Sequence, residues 1–241
     1  MFSKAARVKV RGFHRWAGIL IGIQLLLWVG SGVYFAWVPI KVVKDEDRKA
    51  DLTYDPLPLD RVVSPQSLPL PASFATKSLR LEQLPAGLMY RLESRAGEVA
   101  VFDALTGHTS PQLHADRVAE LARMQIQTQD QPNRVELLQR APADYKGPVP
   151  VYQVTFDDFR RTRLYTDPWS GKVMVRRNVF WRVYDFLWML HIMDFSERED
   201  FNNPLLKVLS VLALVLLASG YFLFFFGRTP RKKYDGSPSS N

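Results

Sequence analysis

The sequence predicts an α+β chain in which two transmembrane helices flank an outer domain of two small helix-plus-antiparallel-sheet units. Three observations carry this expectation: two membrane-length apolar runs, a mixed and charge-balanced stretch between them, and a net positive charge confined to the ends. Of the formal +8 on 241 residues, Lys4, Arg7, Lys9, Arg11 and Arg15 supply +5. At the other end, Arg228, Arg231, Lys232 and Lys233 against Asp235 supply +3, leaving 16–226 balanced at 23 basic and 23 acidic residues. A surplus placed only beside apolar runs reports membrane orientation, not nucleic-acid binding.

The first run, 16–38, has Gln24 as its one strongly polar member; the second, 205–226, is interrupted by Lys207 and two serines. At about 1.5 Å per residue each can cross a hydrocarbon core of roughly 30 Å. The basic flanks place tails 1–15 and 227–241 on the cytoplasmic side and the intervening segment outside. A cleaved signal peptide would have a shorter apolar stretch and a small-residue cleavage site. Here the run ends in Tyr34-Phe35-Ala36-Trp37, which favours a retained anchor. Trp16 and Trp37 suit the two interfaces, and Lys207 can snorkel to headgroups. Asn203-Pro204 supplies an N-cap and a first-turn proline. Gly18 and Gly22 form a small-residue pair, with Ser219-Gly220 at similar depth, so the helices are expected to pack together, or to use this surface for a homodimer or a partner helix.

Between the anchors, prolines at 56, 58, 65, 69 and 71 mark an irregular linker that opens the first unit, 39–110. Its candidate strands are 79–84, 88–92 and 98–102, with a turn at 94–97. In the second unit, 111–177, Val118, Leu121, Ala122 and Ile126 recur at helical spacing over 115–126. Strand-like runs follow at 134–140, 149–156 and 162–166. Tyr152, Val154 and Phe156 alternate onto one face, as in a sheet covered on one side. Asp157-Asp158-Phe159-Arg160 reads as a hairpin turn with solvated acids. The units share a plan, since each has a strand ending in aspartate and then a Thr/Ser-Gly turn: Asp103 to Gly107 and Asp167 to Gly171. Cysteine is absent, which excludes disulfides, thiolate nucleophiles and cysteine-ligated metals.

Tyr152-Gln153-Val154, a variable turn, and then Tyr165-Thr166-Asp167-Pro168-Trp169-Ser170-Gly171-Lys172, set between membrane helices, resemble PepSY domains of the membrane-anchored kind. Phe13-His14-Arg15-Trp16-Ala17-Gly18 resembles the entry to the first membrane helix in that group. The resemblance implies a helix packed on an antiparallel sheet. It implies no single activity: soluble PepSY domains are thought to bind and restrain partners, and larger membrane members include haem-containing ferric reductases. Those larger members have four membrane helices where this chain shows two.

The four histidines are His14, His108, His114 and His191. His108 and His114 flank a turn and read as surface residues without a third metal ligand. His14 sits at the inner edge of the first helix and His191 in the outer segment, so one haem b cannot take both as axial ligands. Each would need a ligand from another chain. In segment 178–204, the aromatic stretch 178–193, with Trp181, Phe186 and Trp188, is too short and too charged to span and is expected to lie as a helix in the outer interface, followed by a solvated charged loop. Arg182 and Asp185 should share one of its faces. No nucleophile elbow, His-Glu-x-x-His or phosphate loop is present, so an enzyme acting alone is the least supported class.

The expected function is therefore an inner-membrane-anchored periplasmic binding or regulatory module, accessory to a periplasmic or membrane protein. Its interaction residues would be Trp181, Phe186 and Trp188, together with Gly18 and Gly22. The alternative is a haem-containing subunit of a transmembrane electron-transfer or ferric-reductase system, with His14 and His191 as ligands. No nucleic-acid partner is expected.

Overall fold

The computed structural model describes residues 4–54 and 56–226, with side chains from residue 8 onward. The basic tail 227–241 and residues 1–3 lie outside it. The described chain divides into a helical unit, 4–37 with 185–226, and a second unit, 38–184, called the outer unit after the side on which the sequence is expected to place it.

In the helical unit, α1 (Lys4–Trp37) and α5 (Pro204–Phe226) are long and apolar enough to cross a membrane and fit a two-pass membrane protein. They pack directly on each other through Ala17 and Ile21 against Ala213 and Leu216, with Leu25 and Trp28 alongside. Small side chains let the backbones approach where lipid supplies no drive for association. Asn203 caps α5 by accepting the Leu206 N–H at 2.9 Å, as its place before Pro204 predicts. Gly18 only borders this contact, its nearest neighbour being Leu216, and nothing lies within 4 Å of a side chain built at Gly22. These two glycines instead line a shallow apolar groove with Ile19, Ile23, Leu26 and Val29 on α1.

The outer unit holds two antiparallel sheets. The first has order β1 (Thr76–Leu84), β2 (Gly87–Ser94), β3 (Val99–Asp103). The second has order β4 (Pro132–Leu138), β5 (Val151–Phe156), β6 (Arg163–Thr166), β7 (Val173–Arg177). Helix α3 (Ala115–Met124) lays Val118 and Ala122 onto Tyr152, Val154, Phe156 and Leu164, the face the alternation predicts. The first unit departs from its expected plan, since among the described residues no α-helix covers its sheet. The proline-rich stretch does so instead: Val62, Val63, Leu68, Leu70 and Phe74 pack on Leu88, Tyr90, Leu92 and Phe102. Prolines block a regular helix there, yet leave enough apolar side chains to close the core.

The shared turn is a true repeat. Asp103 Oδ1 accepts the N–H groups of Leu105 and Thr106 and the Thr106 hydroxyl; Asp167 Oδ1 accepts those of Trp169 and Ser170 and the Ser170 hydroxyl. Each turn closes on a glycine of positive φ, +74° at Gly107 and +66° at Gly171. At Gly171 a β-carbon would also run into the Leu121 side chain, so conformation and packing both favour glycine.

Asp158 corrects the reading of solvated turn acids. It is buried, accepting Arg48 Nη1 at 2.7 Å and the Thr162 N–H and hydroxyl at 2.8 and 2.7 Å. Arg48 also binds the fully buried Asp45, which accepts Arg160 Nη1 and Asn178 Nδ2. This network ties the stretch just after α1 to the β5–β6 turn and to the start of α4 (Val179–Ile192), whose Trp181 N–H Asn178 caps at 2.8 Å. Burial pushes the Asp158 carboxyl up, but the Arg48 and Thr162 bonds outweigh it and hold the group below the ordinary carboxylate range.

Candidate functional site

The two membrane-side histidines are built alike. His14, on α1, places Nδ1 2.7 Å from the hydroxyl of Ser219 on α5. His191, in the last turn of α4, places Nδ1 2.7 Å from the hydroxyl of Ser31 on α1. In both pairs the serine hydroxyl donates to the carbonyl three residues earlier, Ser219 to Leu216 at 2.7 Å and Ser31 to Trp28 at 3.0 Å. A hydroxyl has one proton, so a serine that gives it to that carbonyl accepts from the imidazole; in that tautomer Nδ1 carries the ring proton and Nε2 keeps its lone pair. A second hydrogen bond that fixes the tautomer and orients the ring is what a metal-ligating histidine needs.

The surroundings hold both rings in place. The His14 ring lies against the backbone of Gly220, where a β-carbon would approach Cε1 to 3.1 Å. His191 stacks on Trp188 with planes 2° apart and meets Phe35 and Trp28 at ring distances of 5.6 and 6.4 Å. Trp28 Nε1 donates to the His191 carbonyl at 2.8 Å, and Gln24 Nε2 reaches the Leu190 carbonyl at 3.4 Å. These bonds satisfy carbonyls left open at the end of α4, and they give Gln24, the polar residue of the first run, a structural partner.

The two histidine positions are far apart. His14 and Ser31 are both on α1, 17 residues or roughly 25 Å apart along its axis. The structure does not bring His14 and His191 together.

The aromatic residues of α4 are used unequally. Trp188 is committed to His191, Phe35, Phe201 and the Arg198 carbonyl. Trp181 lies under the Arg177 guanidinium at 4.0 Å, whereas Phe186 is 53 % exposed. Arg182 donates to the Arg161 carbonyl and Asp185 pairs with Arg198, so the two charges serve different partners. His114 stands at the N-cap of α3 without a side-chain cap, and His108 follows the first Asp-Gly turn. Among the described residues no group of three or more His, Asp or Glu side chains could hold a metal ion.

Sequence reasoning found both histidines and the small Ser219-Gly220 pair but did not join them. Ser31 had no signal of its own, because a serine in an apolar helix ordinarily bonds its own backbone.

No curated protein and no solved structure matches the chain. A family model does, over residues 11–237, and that span includes both apolar helices, both histidine–serine pairs and the outer domain. The chain belongs to the PepSY-associated TM region family.

Proposed function

We propose that this protein is a haem-bearing membrane subunit of an electron-transfer system, completed by a second chain. The observation that carries the reading is the pair of serine-oriented histidines, each with Nε2 in no hydrogen bond among the described residues and each near a different end of the helix pair. The donor set fits haem b as one imidazole per group. His14 would hold one haem and His191 another, each completed by a ligand from a partner or a second copy of this chain. Bound haem would supply one-electron iron chemistry. The chain's own part is to orient the two imidazoles, keep Nδ1 protonated through Ser219 and Ser31, and pack aromatic rings around His191.

With the basic flanks setting orientation, the reading puts the protein in a bacterial inner membrane, tails cytoplasmic and outer domain periplasmic. The test is haem content of the full-length protein purified from haem-supplied cells. His14→Ala and His191→Ala are each expected to remove part of a b-type spectrum. An unchanged spectrum in the double variant overturns the assignment.

A second reading is a partner-binding module without a cofactor, favoured by a charged groove in the outer domain. Under it the two histidines are dispensable for partner capture.

A further inference from the structure

Three concavities of the outer unit run into one another. The first, of about 600 Å³, lies among Lys49, Asp51, Glu82, Lys172 and Arg176. It shares Glu82, Leu84 and Lys172 with a second, about 390 Å³, that adds Arg80 and Arg91. That one shares Arg91, Asp167 and Met174 with a third, about 440 Å³, whose remaining wall combines Thr109 and Ser110 with an apolar majority that includes Val99, Val101, Pro150 and Trp169.

Five cations line this groove, Lys49, Arg80, Arg91, Lys172 and Arg176, against three acids. Asp167 is already committed to the Trp169 and Ser170 turn. Among the described residues none of the five cations forms an ion pair. Arg176 is the sharpest case. Its Nη2 donates to the Gln125 carbonyl at 2.8 Å, while its Nε is buried with no partner. Asp45 and Glu46 act on this half-buried guanidinium only from beyond ion-pair distance, so it carries a desolvation cost that an anionic ligand would offset.

Lys172, just before β7, and Met174 and Arg176 within it alternate along one side of the extended chain. Lys172 and Arg176 are therefore about 13 Å apart along the strand, four residues of an extended chain. We propose that this groove binds an extended acidic peptide segment of a partner protein, with carboxylates at alternate positions meeting Lys172, Arg176 and Arg91 and an apolar residue entering the pocket beside Trp169. This rests on the partner-binding reading of the outer domain and names the partner's chemistry.

The probe is a fluorescein-labelled octapeptide, Glu-Thr-Glu-Thr-Glu-Thr-Leu-Phe, titrated with the full-length protein in detergent and read by anisotropy. A Gln-for-Glu version of the peptide is run beside it. Saturable binding is expected, weakened about tenfold or more by the Gln peptide, by raised salt, and by Lys49→Glu with Lys172→Glu. Both lysines are exposed, so that double variant keeps the fold. Arg95→Glu, outside the groove, should bind like the wild type. Absence of saturable binding, or equal affinity in the charge-reversed variant or for the Gln peptide, overturns the proposal. Crosslinking to a native partner separates the two claims: a partner still captured by the charge-reversed chain overturns the groove alone, and failure of the unaltered chain to capture any overturns the module reading with it.

Discussion

His191 Nδ1 and the Ser31 hydroxyl meet at 2.7 Å, and with the Ser31 proton on the Trp28 carbonyl the ring is the donor of this bond. Ser31→Ala leaves the Nδ1 proton without an acceptor and the imidazole free to turn or change tautomer. Loss of such an orienting partner weakens a metal-bound imidazole by about 10- to 100-fold. Haem titration of Ser31→Ala in a His14→Ala background should show a loss of that order, with the helices still folded by circular dichroism.

Gly220 is the corresponding control on the other histidine. Its hydrogen faces the His14 ring, and a β-carbon would sit 3.1 Å from Cε1. Gly220→Ala asks the ring to shift by a few tenths of an ångström, and Gly220→Val displaces it from Ser219. The expected order of haem retention at the His14 site is wild type, then alanine, then valine. Equal retention in all three would show that the ring is not held here.

Arg48 is the hub of the buried network that joins the chain after α1 to the start of α4. Arg48→Ala leaves Asp158 buried without its guanidinium and Asp45 with Arg160 and Asn178 alone. Breaking one side of a buried pair costs on the order of 3–5 kcal/mol. Thermal unfolding of the full-length protein in detergent should show a large loss for Arg48→Ala. Arg117→Ala, whose pair with Glu120 is exposed, should cost under about 1 kcal/mol.

The same network sets an acid limit. Asp158 and Asp47 both titrate below the ordinary carboxylate range. At Asp158 burial opposes the shift and the Arg48 and Thr162 bonds overcome it; at Asp47 the Arg160 hydrogen bond leads. Folding therefore favours the ionised forms. Their contribution is complete above the unfolded value of about 3.9 and is lost as pH falls from there through the lowered folded values. Stability should be flat in this respect from neutral pH to about 5 and decline below about 4, and Asp158→Asn should make that decline shallower. A decline of equal steepness in Asp158→Asn would remove Asp158 from the acid response.

Much of this architecture was legible in the sequence because the signals were local. Apolar length marks the two membrane-spanning helices, period-2 alternation marks β5, and the paired Asp-to-Gly turns mark the repeat. What the sequence hid was tertiary. The cover of the first sheet comes from a proline-rich stretch with no periodicity to read, and β7 follows a turn within a short charged run. Asp158 looked like a solvated turn residue because its partner, Arg48, is 110 positions away. His14 and His191 stood out as polar groups in apolar company, but Ser219 and Ser31, which orient them, are 205 and 160 positions distant. Gly18 and Gly22 drew attention through spacing alone, and the principal helix contact runs through Ala17 and Ile21 beside them.

The most direct test is the reduced-minus-oxidised absorption spectrum of the full-length protein, purified in mild detergent from cells supplied with haem. The account predicts a sharp b-type α-band that diminishes in His14→Ala and in His191→Ala and disappears in the double variant. A featureless spectrum from the unaltered protein, with or without its captured partner, would contradict it.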